Sequence, residues 1–385
     1  MADALALYVH WPFCARKCPY CDFNSHVRTA LPEAAWLAKI LDELRYEQER
    51  TPGQLLTSIF FGGGTPSLMQ PESAAAIIEA ATGLWPCADE VEITLEANPS
   101  TVEAERFAGF RAAGVNRTSL GIQALDDTDL TRLGRTHDLA EALAALEAAQ
   151  RNFDRVSFDL IYAREGQTPG AWERELERAL AFGTEHLSLY QLTIEPGTHF
   201  ATRYARGELV LPAEDPAAEM FELTRARCRT AGLAPYETSN FARFGAESRH
   251  NLSYWQYGDY AGVGPGAHGR RSHAATVRTR LPERWLASGP APETETPLPA
   301  QERAAEALMM GLRLETGIDP DGFLDRTGVP LSGAIDAAAL SRLSELSLVE
   351  AEPRLRLTER GALLLDRIAA ELLADDLAAT LASAA

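Results

Sequence analysis

Tyr8-Val9-His10-Trp11-Pro12-Phe13-Cys14-Ala15-Arg16-Lys17-Cys18-Pro19-Tyr20-Cys21-Asp22-Phe23-Asn24-Ser25-His26 carries three cysteines in C-x3-C-x2-C spacing, directly after the apolar run Ala6 to Val9. The chain has 5 cysteines in 385 residues. Two more falling at those offsets from any one has a chance of roughly one in a thousand. Three thiolates in one loop can ligate three corners of a [4Fe–4S] cluster and leave the fourth iron without a protein ligand. An open iron beside a reducible bound molecule is a reaction centre or its remnant. Electron-transfer ferredoxins supply a fourth cysteine, and none follows in this loop. Zinc is the alternative. It would want a fourth Cys or His, and His10 and His26 are near in sequence.

Outward from that loop, short apolar runs alternate with segments of helical period up to about Gln191. Strands are predicted at Ala6–Val9, Ser58–Phe61, Val91–Leu95, Arg117–Leu120, Val156–Leu160 and His186–Leu189. Helices are predicted at Glu33–Glu49, Glu72–Gly83, Val102–Ala113, Leu139–Gln150 and Trp172–Phe182, with Phe107 and Phe110 at a helical interval. Six β-then-α repeats imply parallel strands with helices outside, as an open doubly wound sheet or a partial barrel.

Prolines 282, 290, 292, 297 and 299 crowd the stretch from Leu281 to Ala300 and predict a boundary, drawn here as 1–285 and 286–385. Beyond it come helical periodicity at Ala304, Ala305, Leu308 and Leu312, and a helix near Gly333–Leu346. The pair Leu348-Val349, a turn at Glu352-Pro353-Arg354, a strand Leu355–Leu357 and a helix capped by Thr358 complete it. That order reads as a small winged-helix-like α+β domain. Its central helix holds one Arg against one Asp and one Glu, so packing or a protein contact is expected rather than DNA binding. Leu373 to Ala385 is Ala-rich and expected to fray.

Composition excludes several classes. The net charge of -19 argues against nucleic acid as a main partner, because phosphate binding needs clustered cations. No run approaches the ~18 uninterrupted apolar residues of a membrane span. Met1-Ala2-Asp3-Ala4-Leu5 lacks the features of a signal peptide, and few cysteines gathered at one place fit a reducing cytosol. A cytoplasmic location is expected. Cys87 and Cys228 are read as ordinary buried or half-buried thiols.

In parallel β/α folds the ligand site lies at the carboxyl ends of the strands. Polar groups stand at nearly every such end in this chain. The second strand runs into Gly62-Gly63-Gly64-Thr65-Pro66, which lets backbone groups approach a small polar ligand such as an amino acid moiety, or makes a plain tight turn. The third meets Glu96-Ala97-Asn98-Pro99, a carboxylate suited to an amine or a ribose diol. The fourth ends in Gly121-Ile122-Gln123 with Arg135 a short helix later, the fifth carries Asp159, and the sixth ends in Tyr190-Gln191. Their concurrence with the cysteine loop points to one shared site.

Together these motifs resemble the radical S-adenosylmethionine superfamily, in the branch of oxygen-independent coproporphyrinogen III oxidases and HemW-type heme chaperones. Besides the cysteine stretch, the likeness rests on Phe61-Gly62-Gly63-Gly64-Thr65-Pro66-Ser67, Ser119-Leu120-Gly121-Ile122-Gln123, Phe158-Asp159-Leu160-Ile161-Tyr162 and His250-Asn251-Leu252-Ser253-Tyr254-Trp255. It extends over nearly the whole chain. Glu165 and Phe244 fall where relatives usually place proline, and Ser347 where glycine is common. The resemblance implies a partial (β/α)6 TIM-like radical SAM barrel with a HemN-type C-terminal domain. It also implies that Cys14, Cys18 and Cys21 hold a [4Fe–4S] cluster whose free iron chelates S-adenosylmethionine. One electron passed to the sulfonium then releases a 5'-deoxyadenosyl radical. Carried over by position, Gly63, Gly64 and Thr65 would meet the methionine end. Glu96, Gln123, Arg135 and Asp159 look like ribose and carboxylate contacts, and Tyr8 would stand near the cluster.

Two features separate the branches. The oxidases carry a further cysteine two residues after the third, where this chain has Phe23, and they have an N-terminal extension, whereas here the motif starts almost at once. Both favour the chaperone branch, with heme and an unidentified heme-acceptor protein as partners and a reduced flavodoxin- or ferredoxin-like electron donor. In that branch the His-Asn-x-x-Tyr-Trp motif is associated with heme, and a neutral imidazole is a good axial ligand, so His250 is the candidate. The alternatives for this residue are that His250 and Trp255 pack the domain seam, or that His268 on its Gly-rich turn is the ligand. His10 is expected to satisfy a backbone group near the cluster. If the chain is an enzyme, it is a coproporphyrinogen III dehydrogenase-like oxidoreductase that abstracts hydrogen from propionate side chains. A third reading is a degenerate barrel that serves as a scaffold.

Overall fold

The computed structural model describes residues 3–28, 32–374 and 377. The six apolar runs become parallel strands β1 (Ala4–Trp11), β2 (Leu55–Gly63), β3 (Cys87–Ala97), β4 (Arg117–Gln123), β5 (Arg155–Tyr162) and β6 (His186–Gln191), lying side by side in chain order. Helices α1 (Glu33–Gln48), α2 (Pro71–Leu84), α3 (Phe107–Ala112), α4 (Leu139–Asn152) and α5 (Pro169–Ala181) fall between successive strands. This is the expected partial (β/α)6 barrel. The helix expected over Val102–Ala113 is broken in two. Ser100 caps a first turn at Thr101–Ala104, and α3 follows with Phe107 and Phe110 fully buried, as their spacing predicts.

Parallel strands buried on both faces read as continuous apolar runs. These do not. Leu5, Leu7, Val9 and Trp11 of β1, Ile93 and Leu95 of β3, Leu120 and Ile122 of β4, and Val156, Phe158 and Leu160 of β5 join one core beneath the helices. The alternate positions are polar or aromatic: Tyr8 and His10, Glu92 and Glu96, Arg117 and Ser119, Ser157 and Asp159, Ser188 and Tyr190. Strand geometry sends successive side chains to opposite faces. The inner face of this barrel is therefore lined with chemistry rather than with leucine.

The sheet continues past both ends of the barrel. Strands β7 (Ala234–Pro235) and β8 (Asn240–Ala242) add antiparallel beside β6, and β9 (Asp259–Val263) adds parallel beside β1. Strands β10 (His268–Arg271), β11 (Ala274–Val277) and β12 (Thr294–Pro297) follow antiparallel. Between the two edges the chain forms α6 (Glu214–Thr230) and α7 (Arg249–Trp255). The proline-rich stretch is thus not a linker. It holds the short helix Pro282–Ala287, whose Trp285 belongs to the main core, and then β12. The expected boundary at 285/286 falls inside that helix, and the change of core comes after Pro297.

A second core gathers Ala304 and Leu308 of α8 (Ala300–Gly311), and Leu312 at its C-terminal end, with Phe323, Leu343, Val349, Ile368 and Leu372. The helix expected at Gly333–Leu346 is divided into Leu331–Ala334 and Ala337–Glu345, and a two-stranded hairpin pairs Val349–Glu350 with Arg356–Leu357. Thr358 caps the next helix, its hydroxyl accepting from the Gly361 N–H at 3.1 Å. Ser347 takes φ 56°, the left-handed region where glycine is free. Leu373, expected to fray, is buried; apart from Leu373, Ala374 and Leu377 the terminal stretch lies outside the described residues. Cys228 is buried, whereas Cys87 is exposed rather than half-buried. Among the described residues, no helix is long and apolar enough to cross a membrane.

Candidate functional site

The cysteine loop closes over the carboxyl ends of the strands. One cavity of about 150 Å³ is lined by Cys14, Cys18 and Cys21 together with Gly63, Gly64, Thr65, Glu96, Gln123, Arg135 and Asp159. Ten residues picked from strand ends and one loop therefore share a wall. Tyr8 is not among them. It lines a second, larger cavity, where its hydroxyl bonds His10 Nδ1 at 2.9 Å and its ring stacks on Phe60.

Local sequence builds the first cavity. Gly63 has φ 109°, and a Cβ there would sit 2.5 Å from His10 Cε1, so only glycine brings the backbone this close. Its N–H donates to Glu96 Oε2 at 3.2 Å. Thr65 donates its hydroxyl to Cys14 Sγ at 3.5 Å and accepts from Asn98 Nδ2 at 3.0 Å. Arg135 reaches in from the far side, Nη1 to Cys18 Sγ at 3.4 Å and to the Tyr20 hydroxyl at 3.4 Å, with Nη2 on Asn98 Oδ1 at 2.6 Å and on the Gly121 carbonyl at 2.8 Å. Gln123 holds φ 76° at the end of β4, a strained backbone for a side chain and a common mark of a functional site. Asn98 belongs to the site although the sequence reading passed over its side chain. Its place in the strand-end tetrapeptide with Glu96 was the available signal.

Electrostatics follow from burial. Desolvation pushes the Cys14 and Cys21 thiols up, with the Thr65 hydroxyl opposing it at Cys14. Burial, then the neighbouring Asp159 charge, raises Glu96 to about 8, and burial raises Asp159 to about 6. At neutral pH Glu96 is mostly protonated. Among the described residues no three His, Cys, Asp or Glu side chains converge around a single ion. His10 is also unavailable as a zinc ligand, because Nδ1 faces Tyr8 and Nε2 meets the Asn24 carbonyl at 2.9 Å. Three thiols on one cavity wall, with His10 engaged at both ring nitrogens, fit a group that takes three cysteine ligands better than tetrahedral zinc.

The second cavity measures about 570 Å³ and shares Phe23, Gly63, Glu96, Ser119 and Asp159 with the first. Its far end is formed by α7, which packs across β1, β2 and β9. Ser248 caps α7 and bonds Glu92, and the Arg249 and His250 N–H groups donate to the same carboxylate. His250 thereby points between the strands. Ser58 Oγ lies 3.3 Å from its Nδ1, and its ring stacks on Phe60 with centroids 4.7 Å apart. Ser58 and Phe60 precede Gly63 by five and three residues, so the imidazole lies about 10–16 Å along the strand from Gly63. Burial lowers His250 to about 4, leaving it neutral. Asn251 and Tyr254 line the same chamber. Trp255, grouped with them in the sequence, instead faces the second domain, with the Arg313 guanidinium 4.5 Å over its ring. His268 lines the chamber but is exposed.

Comparison with known proteins agrees with this geometry. Residues 8–179 match the Radical SAM superfamily, and residues 298–364 match the HemN C-terminal domain. The chain is 37% identical over 375 residues to heme chaperone HemW of Haemophilus influenzae, covering 94% of this chain and 96% of that one. It is 35% identical to heme chaperone HemW of Escherichia coli, covering 94% and 97%. It is 44% identical over 326 residues to the mitochondrial radical S-adenosyl methionine domain-containing protein 1 of Bos taurus, covering 81% and 74%. The solved structure of coproporphyrinogen III oxidase (HemN) from Escherichia coli superposes with a TM-score of 0.79 over 96% of this chain and 89% of that one, at 22% identity, which shows a common fold. With its cysteine loop seated on a six-stranded partial barrel and these relatives spanning nearly its full length, the chain belongs to the radical SAM superfamily, in the family that includes the heme chaperone HemW proteins.

Proposed function

We propose that this chain is a cytoplasmic heme chaperone that holds heme in the barrel chamber through His250 and passes it to an acceptor protein. The observation that carries this reading is the state of His250: neutral, fixed at Nδ1 by Ser58, stacked on Phe60 and facing a cavity of about 570 Å³. Imidazole in that state is a good axial ligand, and a cavity of this size is ordinary for a cofactor. The HemW relatives are named heme chaperones, which supports the same reading.

Cys14, Cys18 and Cys21 would hold the [4Fe–4S] cluster, with S-adenosylmethionine beside it. When bound, the cluster supplies one electron at low potential to its neighbour. Around it, Gly63, Gly64 and Thr65 offer backbone groups to the methionine end, while Glu96, Gln123 and Asp159 offer acceptors to a ribose. Arg135 is committed to Cys18, Tyr20, Asn98 and Gly121, so we assign it to the cysteine loop before the nucleotide. Tyr8 is better placed as chamber wall than as a cluster neighbour. A reduced flavodoxin- or ferredoxin-like protein would supply electrons. We draw the domain division after Pro297, where the core changes.

The five residues common to both cavities favour a second reading, in which a radical made at the cluster reaches a porphyrinogen in the chamber. Titration of hemin into the anaerobically reconstituted protein decides between them, alongside an assay for coproporphyrinogen III turnover. A Soret shift that His250→Ala abolishes, with no turnover, is the expected result. Turnover that depends on Cys14 would overturn the chaperone reading.

A further inference from the structure

Most buried arginines in this protein come with carboxylates. Arg164 pairs with Glu175, Arg271 with Glu47 and Glu295, Arg278 with Glu47, and Arg225 with Glu315. That is the general rule, since a guanidinium out of water needs compensation for its lost hydration. Arg117 breaks it. The residue is 3% exposed at the start of β4, on the polar inner face of the barrel. Among the described residues it makes one side-chain hydrogen bond, Nη1 to Thr94 Oγ1 at 3.4 Å, and no carboxylate oxygen comes within 4.0 Å of it.

The nearest acids are committed elsewhere. Glu92 takes the Arg155 guanidinium at 2.8 Å, Ser248 Oγ, and the N–H groups of Arg249 and His250. Asp159 accepts from Ser119 Oγ at 3.1 Å, and Glu96 from the Gly63 N–H. The Arg117 guanidinium, a rigid fork of five donors, borders the same cavity as His250, Tyr8, Phe60, Tyr254 and Tyr260. A desolvated cation that Glu92 and Asp159 balance only from beyond contact distance, among aromatic walls and on the face that carries the imidazole, is complementary to a flat apolar molecule bearing an acid group.

We propose that Arg117 is the counter-ion for a carboxylate on the ligand of the barrel chamber, pairing with one propionate of a porphyrin whose face rests on the aromatic wall. The proposal rests on the heme reading above and adds to it a second, charge-based anchor. His250 would select the metal and Arg117 the acid edge. Arg280 borders the cavity as well, but it is exposed and its charge is screened by water.

Hemin and hemin dimethyl ester, whose carboxylates are capped, are titrated into the full chain and into Arg117→Met, Arg117→Lys, Arg280→Ala and His250→Ala. Binding is followed by Soret absorbance and tryptophan quenching. Wild type should prefer hemin over the ester by about 10- to 100-fold, the worth of a buried charge-assisted pair. Arg117→Met should lose that preference with ester affinity unchanged, and Arg117→Lys should keep part of it. An undiminished preference in Arg117→Met, an equal loss for both ligands, or a preference lost only in Arg280→Ala overturns the assignment. Should Arg117→Met fail to fold, wild type alone still decides, because equal affinity for hemin and ester sinks the proposal. A Soret shift that survives His250→Ala, with the carboxylate preference still dependent on Arg117, defeats axial ligation while leaving the anion site standing. No binding of either porphyrin to wild type removes both.

Discussion

The Arg135 guanidinium sits 3.4 Å from the sulfur of Cys18 and is held there from three sides, by Tyr20, Asn98 and the Gly121 carbonyl. The turn that delivers it depends on Gly134. With φ 71°, that residue lies so close to Pro19 that a Cβ would approach its Cδ to 2.5 Å. A cation is thus clamped onto the cysteine loop by the loop's own proline.

Donation from N–H to a cluster sulfur, with a positive charge behind it, favours the more reduced and more negative state. Arg135→Gln should therefore lower the midpoint potential of the reconstituted cluster by about 20–60 mV, taking the interaction as ~0.5–1.5 kcal/mol and one electron. Iron and sulfide content should stay the same. A redox titration followed by electron paramagnetic resonance reads the shift, and an unchanged potential would show that Arg135 serves the fold alone.

Glycine substitutions offer a contrast within one chain. Gly63→Ala forces a left-handed residue and drives a methyl group onto the His10 ring, so it should cost about 1–3 kcal/mol and abolish S-adenosylmethionine retention in equilibrium dialysis. Gly83→Ala, in α2 with nothing within 4 Å of the new Cβ, should leave binding intact and shift stability by less than about 1 kcal/mol, toward gain. Equal behaviour of the two variants in urea melts and dialysis would disprove the close-approach account.

How much of this was legible in sequence depends on range. Strand and helix positions followed from local periodicity, and the residues of the cysteine cavity followed from the strand-end rule, because both are fixed by neighbours in the chain. Three things were not. Strand β9 pairs with β1 across more than 250 residues and carries the antiparallel strands β10 to β12 with it, so prolines such as Pro297 read as a boundary although Thr294–Pro297 is an edge strand. Trp255 follows Tyr254 directly, yet the two face different cavities, because consecutive helical residues point about 100° apart. Arg117 was visible as a polar intruder in an apolar run. A full charge inside a predicted strand, at Arg117 two residues before Ser119 and so on the same face, is the signal for it.

Glu96 gives a pH signature with a definite sign. Its carboxyl is held at about 8 in the folded chain against 4.5 for the free side chain, chiefly by burial. Between those values the native state binds a proton that the unfolded state lacks, so this residue makes stability fall as pH rises. Glu96→Gln removes that slope. In cofactor-free protein the stability of the variant relative to wild type should climb from about pH 4.5 and level off above about pH 8. Urea melts at four or five pH values test it, and a difference that is flat or declines with pH refutes the assignment.

The strongest test of the architecture lies beneath the sheet rather than inside the barrel. Glu47 of α1 is fully buried and bonds Arg271 of β10 as well as Arg278, the latter at 2.5 Å. Glu43, one turn earlier, accepts from Trp285 Nε1 at 2.8 Å and from the Gly264 N–H at 2.9 Å. These contacts tie α1 to the strands that extend the sheet past β9. Glu47→Ala would leave Arg271 with Glu295 alone and Arg278 with Glu43 alone, and should cost about 3 kcal/mol, whereas removing a surface pair such as Arg45 and Asp42 should cost less than about 1 kcal/mol. Replacing Glu47, Arg271 and Arg278 with apolar residues, as Glu47→Leu, Arg271→Met and Arg278→Leu, should recover part of the loss, because it removes the uncompensated guanidinium groups while Glu43, which loses Arg278, can take up a proton and Glu295 is half-exposed to water. If the triple variant is as unstable as Glu47→Ala, the electrostatic account fails and the shape of the side chains carries the contact.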